Sequence, residues 1–202
     1  MVADCVFCDK SKFEERLVGE TKDSWIIATL GQISNGGYLL LVPKKHIACV
    51  GAMEKKSIEL LTNSARTIYL ALNAEYQCVR PLVFEHGIVG QTIEHAHLHF
   101  IPETCNITKR VRVDFPQNEI MAIENLDALR ALYSKIKEPY LFWLDSDKAR
   151  ICWNPPAPPQ YLRLVIAEAL GRHERGNWRN MDHALDKKLW TETVIRLKPY
   201  FS

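Results

Sequence analysis

The chain has 202 residues, 47% of them hydrophobic and 25% charged, the balance of an ordinary soluble globular protein with ample material for a core. A net charge of +2 is too small to imply a nucleic-acid partner, and no run approaches the roughly 18 apolar residues that would suggest a membrane helix. The opening MVADCVFCDK lacks the basic-then-apolar plan of a signal peptide, and six cysteines in that context read as reduced thiols or metal ligands, so a cytoplasmic location is expected.

In chain order, Cys5-x-x-Cys8 comes first, and by itself it leaves a zinc site, a redox pair and buried thiols all open. The segments DSWIIATL and GGYLLLVPKKHI read as strands, the second introduced by the turn-forming pair Gly36-Gly37. A long helix is predicted next. In MEKKSIELLTNSARTIYLALNAE, Ile58, Leu61, Ala65, Ile68 and Leu72 recur at intervals of 3 and 4, the stripe of a helix lying on a sheet. CVRPLVFEHG then continues as a strand closed by Gly87, and a loop through Gly90 and Gln91 leads to QTIEHAHLHFIP.

That last run holds three of the chain's seven histidines, His95, His97 and His99, at every second position. Side chains two apart on a strand share a face, so the imidazoles would form a ladder with steps of about 6 to 7 Å while Ala96, Leu98 and Phe100 form an apolar face opposite. A solvent-facing polar stripe would suit one histidine better than three. Repetition of a group that is nucleophile, proton carrier or metal ligand near neutral pH points to a site.

After Pro102 the pattern changes. VRVDF reads as a strand, NLDALRALYSKI as a short helix, and PYLFWLDSD with ARICW as a strand pair joined by a polar turn. The proline-rich NPPAPP leads into a helix, QYLRLVIAEALG, with Gly171 as its cap, and DHALDKKLWTETVIRLKPYF places Leu185, Leu189, Trp190, Val194 and Leu197 on one side of a last helix. Arg163, Arg172, Arg175 and Arg179 gather here, either to bind phosphate or as a solvated face. Residues 1–105 therefore read as an α+β domain, an antiparallel sheet under a long helix, and 106–202 as an α/β extension packed on it.

HAHLHFI fits the His-φ-His-φ-His-φ-φ signature, φ being apolar, of the histidine triad (HIT) superfamily of nucleotide hydrolases and transferases. GGYLLLVPKKHI resembles that superfamily's glycine-led strand ending in Pro-Lys-x-His, and Gln91-Thr92 matches its phosphate loop. VFEHG, HAHLHFIP and PPQYLRLVIAEALG further resemble a bacterial branch with a C-terminal extension, related to diadenosine polyphosphate hydrolases. The resemblance implies that His97 attacks the α-phosphorus of a nucleotide, forming a nucleotidyl-imidazole, with His99, Gln91 and Thr92 donating to the non-bridging oxygens. It also implies structural zinc on Cys5, Cys8, His46 and His95, and a homodimer unless the C-terminal segment takes that surface.

Two positions depart from the pattern. A fourth histidine is expected where Tyr38 stands, and a ribose-gripping Asp or Asn where Leu30 stands. Tyr38 is open between a phosphate contact and a strand aromatic, while Glu85 and His86, expected on a loop facing the triad, are candidate replacements for the nucleotide contact. In the first turn of the later helix, Gln160 and Arg163 are candidate ligands for further phosphates beside the free N–H groups of a helix start, the alternative being a packed helix with Arg163 as surface charge. Three function classes follow: a hydrolase of dinucleoside polyphosphates or phosphoramidates, a transferase or phosphorylase using phosphate or a sugar phosphate, and a nucleotide-binding scaffold.

Overall fold

The computed structural model describes residues 5–145 and 148–201. Among these, eight strands make one sheet: β1 (Leu17–Glu20), β2 (Ser24–Ala28), β3 (Leu39–Pro43), β4 (Leu82–Gly87), β5 (Leu98–Ile101), β6 (Ile120–Ile123), β7 (Tyr140–Asp145) and β8 (Lys148–Trp153). Their spatial order is β1-β2-β3-β5-β4-β7-β8-β6, and every pairing is antiparallel. Five helices cover it: α1 (Lys55–Tyr76), α2 (Thr108–Asp114), α3 (Leu126–Ile136), α4 (Tyr161–Ala169) and α5 (His183–Leu197). The fold class is α+β, as expected. None of these helices is long and apolar enough to cross a membrane.

Both faces of the sheet are covered. On one, α1, α3 and α5 pack over Ile26, Leu41, Leu98, Phe100, Phe142 and Ile151; on the other, α2, α4 and the N-terminal turns pack over Ile27, Leu40, Val42, Phe84, Leu141 and Trp143. Each fully buried aliphatic or aromatic side chain contributes about 1.5 to 3 kcal/mol to this closure. The stripe expected on α1 is the one buried, with Ile58, Leu61, Ile68 and Leu72 inside and Ala65 half-buried against them. β7 pairs with β4 through Phe84↔Trp143, so the strands after residue 105 extend the same sheet that carries the histidines.

Three expectations are corrected. VRVD lies in helix α2 with Phe115 as its C-cap: Ile107, Val111 and Phe115, four apart, are buried while Val113 is exposed, so the 3.6-residue period prevails over the apparent alternation. IMAI forms edge strand β6 beside β8, and LVGE forms β1 beside β2, neither of which was anticipated. The histidine run is a strand only at Leu98–Ile101, so His95 and His97 precede it. The polar turn expected at 146–147 and the residues 1–4 lie outside the described residues. α4 stops as expected, before Gly171 with φ of 68°.

Candidate functional site

Although His95 and His97 lie ahead of β5, the alternation survives: Ala96, Leu98 and Phe100 enter the core under α1, and the three imidazoles point to the other face. That face is roofed by α4 and the N-terminal turn, so all three are buried, and a solvent-facing stripe is ruled out. Phe7 packs against His97 with ring centroids 5.2 Å apart, His97 lies 4.8 Å from His99, and His99 stacks on Phe84 at 4.2 Å.

Hydrogen bonds fix the tautomers. His97 Nδ1 lies 2.6 Å from the His95 carbonyl, which can only accept, so Nδ1 carries the proton and Nε2 is the bare nitrogen. Burial lowers the His97 pKa to about 4 against the opposing pull of that hydrogen bond, so the ring is neutral at physiological pH. His95 has the opposite tautomer, with Nε2 donating to the Pro43 carbonyl at 2.7 Å and Nδ1 turned toward the two sulfurs. Burial also depresses His86, to about 3, and His99, well below its usual value.

The four residues expected to hold metal converge. Cys5 Sγ is 3.4 Å from His95 Nδ1, Cys8 Sγ is 3.4 Å from His46 Nδ1 and 3.7 Å from His95 Nδ1, and all four ligand atoms lie within 4.8 Å of one another. Bonds of 2.0 to 2.3 Å to a tetrahedral ion imply ligand separations of about 3.3 to 3.8 Å, the range of the three sulfur–nitrogen distances. The Pro43 carbonyl gives His95 the orienting partner typical of a metal-bound imidazole. This Cys/His cluster can hold a metal ion.

Other candidates fall differently. Thr92 is exposed, and the Gln91 amide donates to the Ala48 carbonyl at 2.9 Å. Leu30 is exposed. Glu85 and His86 lie in β4, not on a loop, and as strand neighbours they face opposite ways. His86 shares the triad's face and accepts the Leu162 N–H, the start of α4, at 3.1 Å, so that helix terminus is already occupied. Glu85 points to the α1 side, accepting from Val50 N (2.7 Å) and Tyr140 Oη (2.6 Å), with no cation beside it among the described residues.

Burial raises the Glu85 pKa to about 7 despite both hydrogen bonds. In the unfolded chain it ionises near its ordinary value, so folding is penalised progressively as pH rises from about 4.5 to 7, with about 3 kcal/mol lost above that window. Glu85→Gln, neutral throughout, should therefore flatten the decline in thermal midpoint between pH 5 and 8. Parallel declines in the two proteins would remove Glu85 as its source.

Arg163 is not a surface charge, and its donors are turned to protein acceptors. It is buried, with Nε donating to Gly176 O (3.2 Å), Nη1 to Tyr38 Oη (2.9 Å) and Nη2 to Gly31 O (2.7 Å). Tyr38 Oη in turn meets His99 Nδ1 at 2.7 Å. Gln160, a left-handed N-cap, bonds Asn177 and Trp178 N instead of an open site. Arg172 and Arg175 likewise hold the loop before β3, donating to Ile33 O, and Arg175 also to Asn35 Oδ1, while Arg179 lies over the Trp178 ring.

Sequence reading missed two residues of α5. Asp186 accepts from Gly31 N and Gln32 N at 3.0 Å, and Thr193 accepts from Gly37 N at 2.8 Å, so the loop that delivers Tyr38 is anchored at both ends. Both interrupt an otherwise apolar stripe with Leu189, Trp190 and Leu197, and a polar residue in a buried stripe was the available signal. Gly31, at φ of 70°, has no room for a Cβ, which would lie 2.4 Å from Trp178 Cβ.

Residues 4–111 match the profile of a family described as scavenger mRNA decapping enzyme C-term binding. The chain is 25% identical over 105 residues to an uncharacterized HIT-like protein of Mycoplasma genitalium, covering 50% of this chain and 74% of that protein, and 24% identical over 104 residues to one of Mycoplasma pneumoniae, covering 50% and 72%. Among solved structures it is similar to a HIT family protein from Bacillus anthracis (19% identity, 68% of this chain, 97% of that chain, TM-score 0.47). A hypothetical histidine triad nucleotide-binding protein from Sulfolobus tokodaii is another (23% identity, 48% of this chain, 68% of that chain, TM-score 0.44).

Proposed function

The chain belongs to the histidine triad superfamily, within the family described as scavenger mRNA decapping enzyme C-term binding, and from that premise we propose that it cleaves nucleotide conjugates at the α-phosphorus through a nucleotidyl intermediate on His97. The observation that carries this reading is the fixed tautomer of His97: Nδ1–H is committed to the His95 carbonyl, and the neutral ring presents Nε2 as a lone pair. Nε2 attacks phosphorus, an N–P bond forms, and the bridging P–O or P–N bond breaks with its electron pair leaving on the departing group. Water or a second phosphate then attacks the same phosphorus and the N–P bond breaks, returning the pair to Nε2. Dinucleoside polyphosphates and nucleoside phosphoramidates are the substrate classes this sequence of steps suits. His99, Gln91 and Thr92 are the candidate donors to the non-bridging oxygens.

Zinc suits the Cys5, Cys8, His46 and His95 set, which offers two sulfur and two imidazole nitrogen ligands within 4.8 Å of one another. Bound there it would supply a structural tether between the N-terminal turn and the segment leading to His97. The attacking and orienting groups are this chain's own.

Incubation with diadenosine tetraphosphate or adenosine 5′-phosphoramidate labelled at the α-phosphorus tests the reading. Label should appear on the protein in an alkali-stable, acid-labile form, and comparison of products with and without added phosphate separates hydrolysis from transfer. Turnover with no protein-bound label in quenched-flow samples would count against the covalent route, and binding without turnover would favour the scaffold alternative.

A further inference from the structure

His99 Nε2 is buried and has no hydrogen-bond partner among the described residues. A buried polar nitrogen without a partner is costly, on the order of 1 to 3 kcal/mol, so one at a site face marks a group oriented for a ligand. What orients it is the row Arg163, Tyr38, His99. A guanidinium can only donate, so Tyr38 Oη accepts from Arg163 Nη1, and the one phenolic hydrogen is free to donate to His99 Nδ1. A neutral imidazole accepting at Nδ1 carries its proton at Nε2. The reverse tautomer would leave the Tyr38 hydrogen buried without an acceptor, in a core where Tyr38 is completely enclosed. Arg163 is itself immobilised by the Gly31 and Gly176 carbonyls, and its guanidinium lies 5.3 Å from the Tyr38 ring centroid.

We propose that Arg163 and Tyr38 are positioning residues that lock His99 as its Nε2–H tautomer, so that the C-terminal segment sets the donor facing the reacting phosphate. This rests on the reading of His97 as nucleophile, because His99 acts on the phosphate that His97 attacks. Tyr38 thereby replaces a ligand contact with a relay, and Arg163 makes the segment after residue 105 part of the site's chemistry.

The test is carried out on the full chain labelled with ¹⁵N-histidine, with adenosine 5′-phosphoramidate as the probe substrate. Wild-type long-range ¹H–¹⁵N spectra should show His99, assigned by its loss in His99→Gln, with Nδ1 unprotonated and Nε2 protonated. Tyr38→Phe keeps the ring and removes the relay; it should mix the His99 tautomers and lower kcat about tenfold to a hundredfold, with KM changed less than about threefold. Arg163→Met should move the His99 signals the same way. A wild-type His99 protonated at Nδ1, or a Tyr38→Phe variant with unchanged His99 signals or wild-type kcat, overturns the proposal. Should the wild type turn over neither this probe nor diadenosine tetraphosphate, the covalent reading fails, and the spectra of Tyr38→Phe alone decide the relay.

Discussion

His97→Ala is expected to lower turnover by about a thousandfold or more while leaving the affinity for a nucleoside monophosphate within about threefold. The asymmetry follows from what the side chain touches. Its Nδ1–H goes to the carbonyl of His95 and its ring lies between Phe7 and His99, so the substitution removes the attacking nitrogen without removing a donor to phosphate. The donors assigned to the phosphate, on His99, Gln91 and Thr92, are untouched. Calorimetric titration with adenosine monophosphate beside steady-state kinetics separates the two quantities. A variant retaining more than a few per cent of wild-type turnover would sink the covalent mechanism, and one losing affinity and turnover together would recast His97 as a binding group.

The histidine face was legible because it depends on a local rule. Period two sends His95, His97 and His99 one way and Ala96, Leu98 and Phe100 the other, whether or not all six residues pair in a strand. The same rule, applied to Glu85 and His86, would have separated them, since adjacent strand residues cannot both face the triad. Ile107, Val111 and Phe115 carried a helical stripe that the shorter alternation of VRVDF masked.

Burial of the site was not legible, because the helix that roofs it follows the triad by some sixty residues and nothing in the triad's own neighbourhood encodes it. The arginines show the same limit. Charge clustering offered phosphate or solvent as partners, yet Arg163, Arg172 and Arg175 meet backbone carbonyls of the loop before β3. A carbonyl has no sequence signature, so side chains that bind backbone are found only when the chain is folded. The family resemblance could still bring distant residues together: Cys5, Cys8, His46 and His95, scattered over ninety residues, have their ligand atoms within 4.8 Å of one another.

Removing that cluster is expected to have the largest effect on stability. Tag-free protein should contain one zinc per chain, and Cys8→Ser should lose it, since a serine hydroxyl is not ionised at neutral pH and binds zinc poorly. Structural zinc contributes folding energy directly, on the order of 10 kcal/mol in isolated fingers. Here the sheet and helices stand on their own core, so a smaller loss of about 3 kcal/mol is expected, which in a chain of this size corresponds to roughly 6 to 12 °C in thermal midpoint. Chelation of the wild type should reproduce the shift, and zinc should reverse it. Cys78→Ser, a buried thiol outside the cluster, should keep its full metal content. The loss also reaches the site, because the turn that carries Cys5 and Cys8 carries Phe7, whose ring packs on His97. kcat should therefore fall with the metal, through a loosened Phe7. Metal-free protein with an unchanged midpoint would return Cys5 and Cys8 to the status of ordinary thiols.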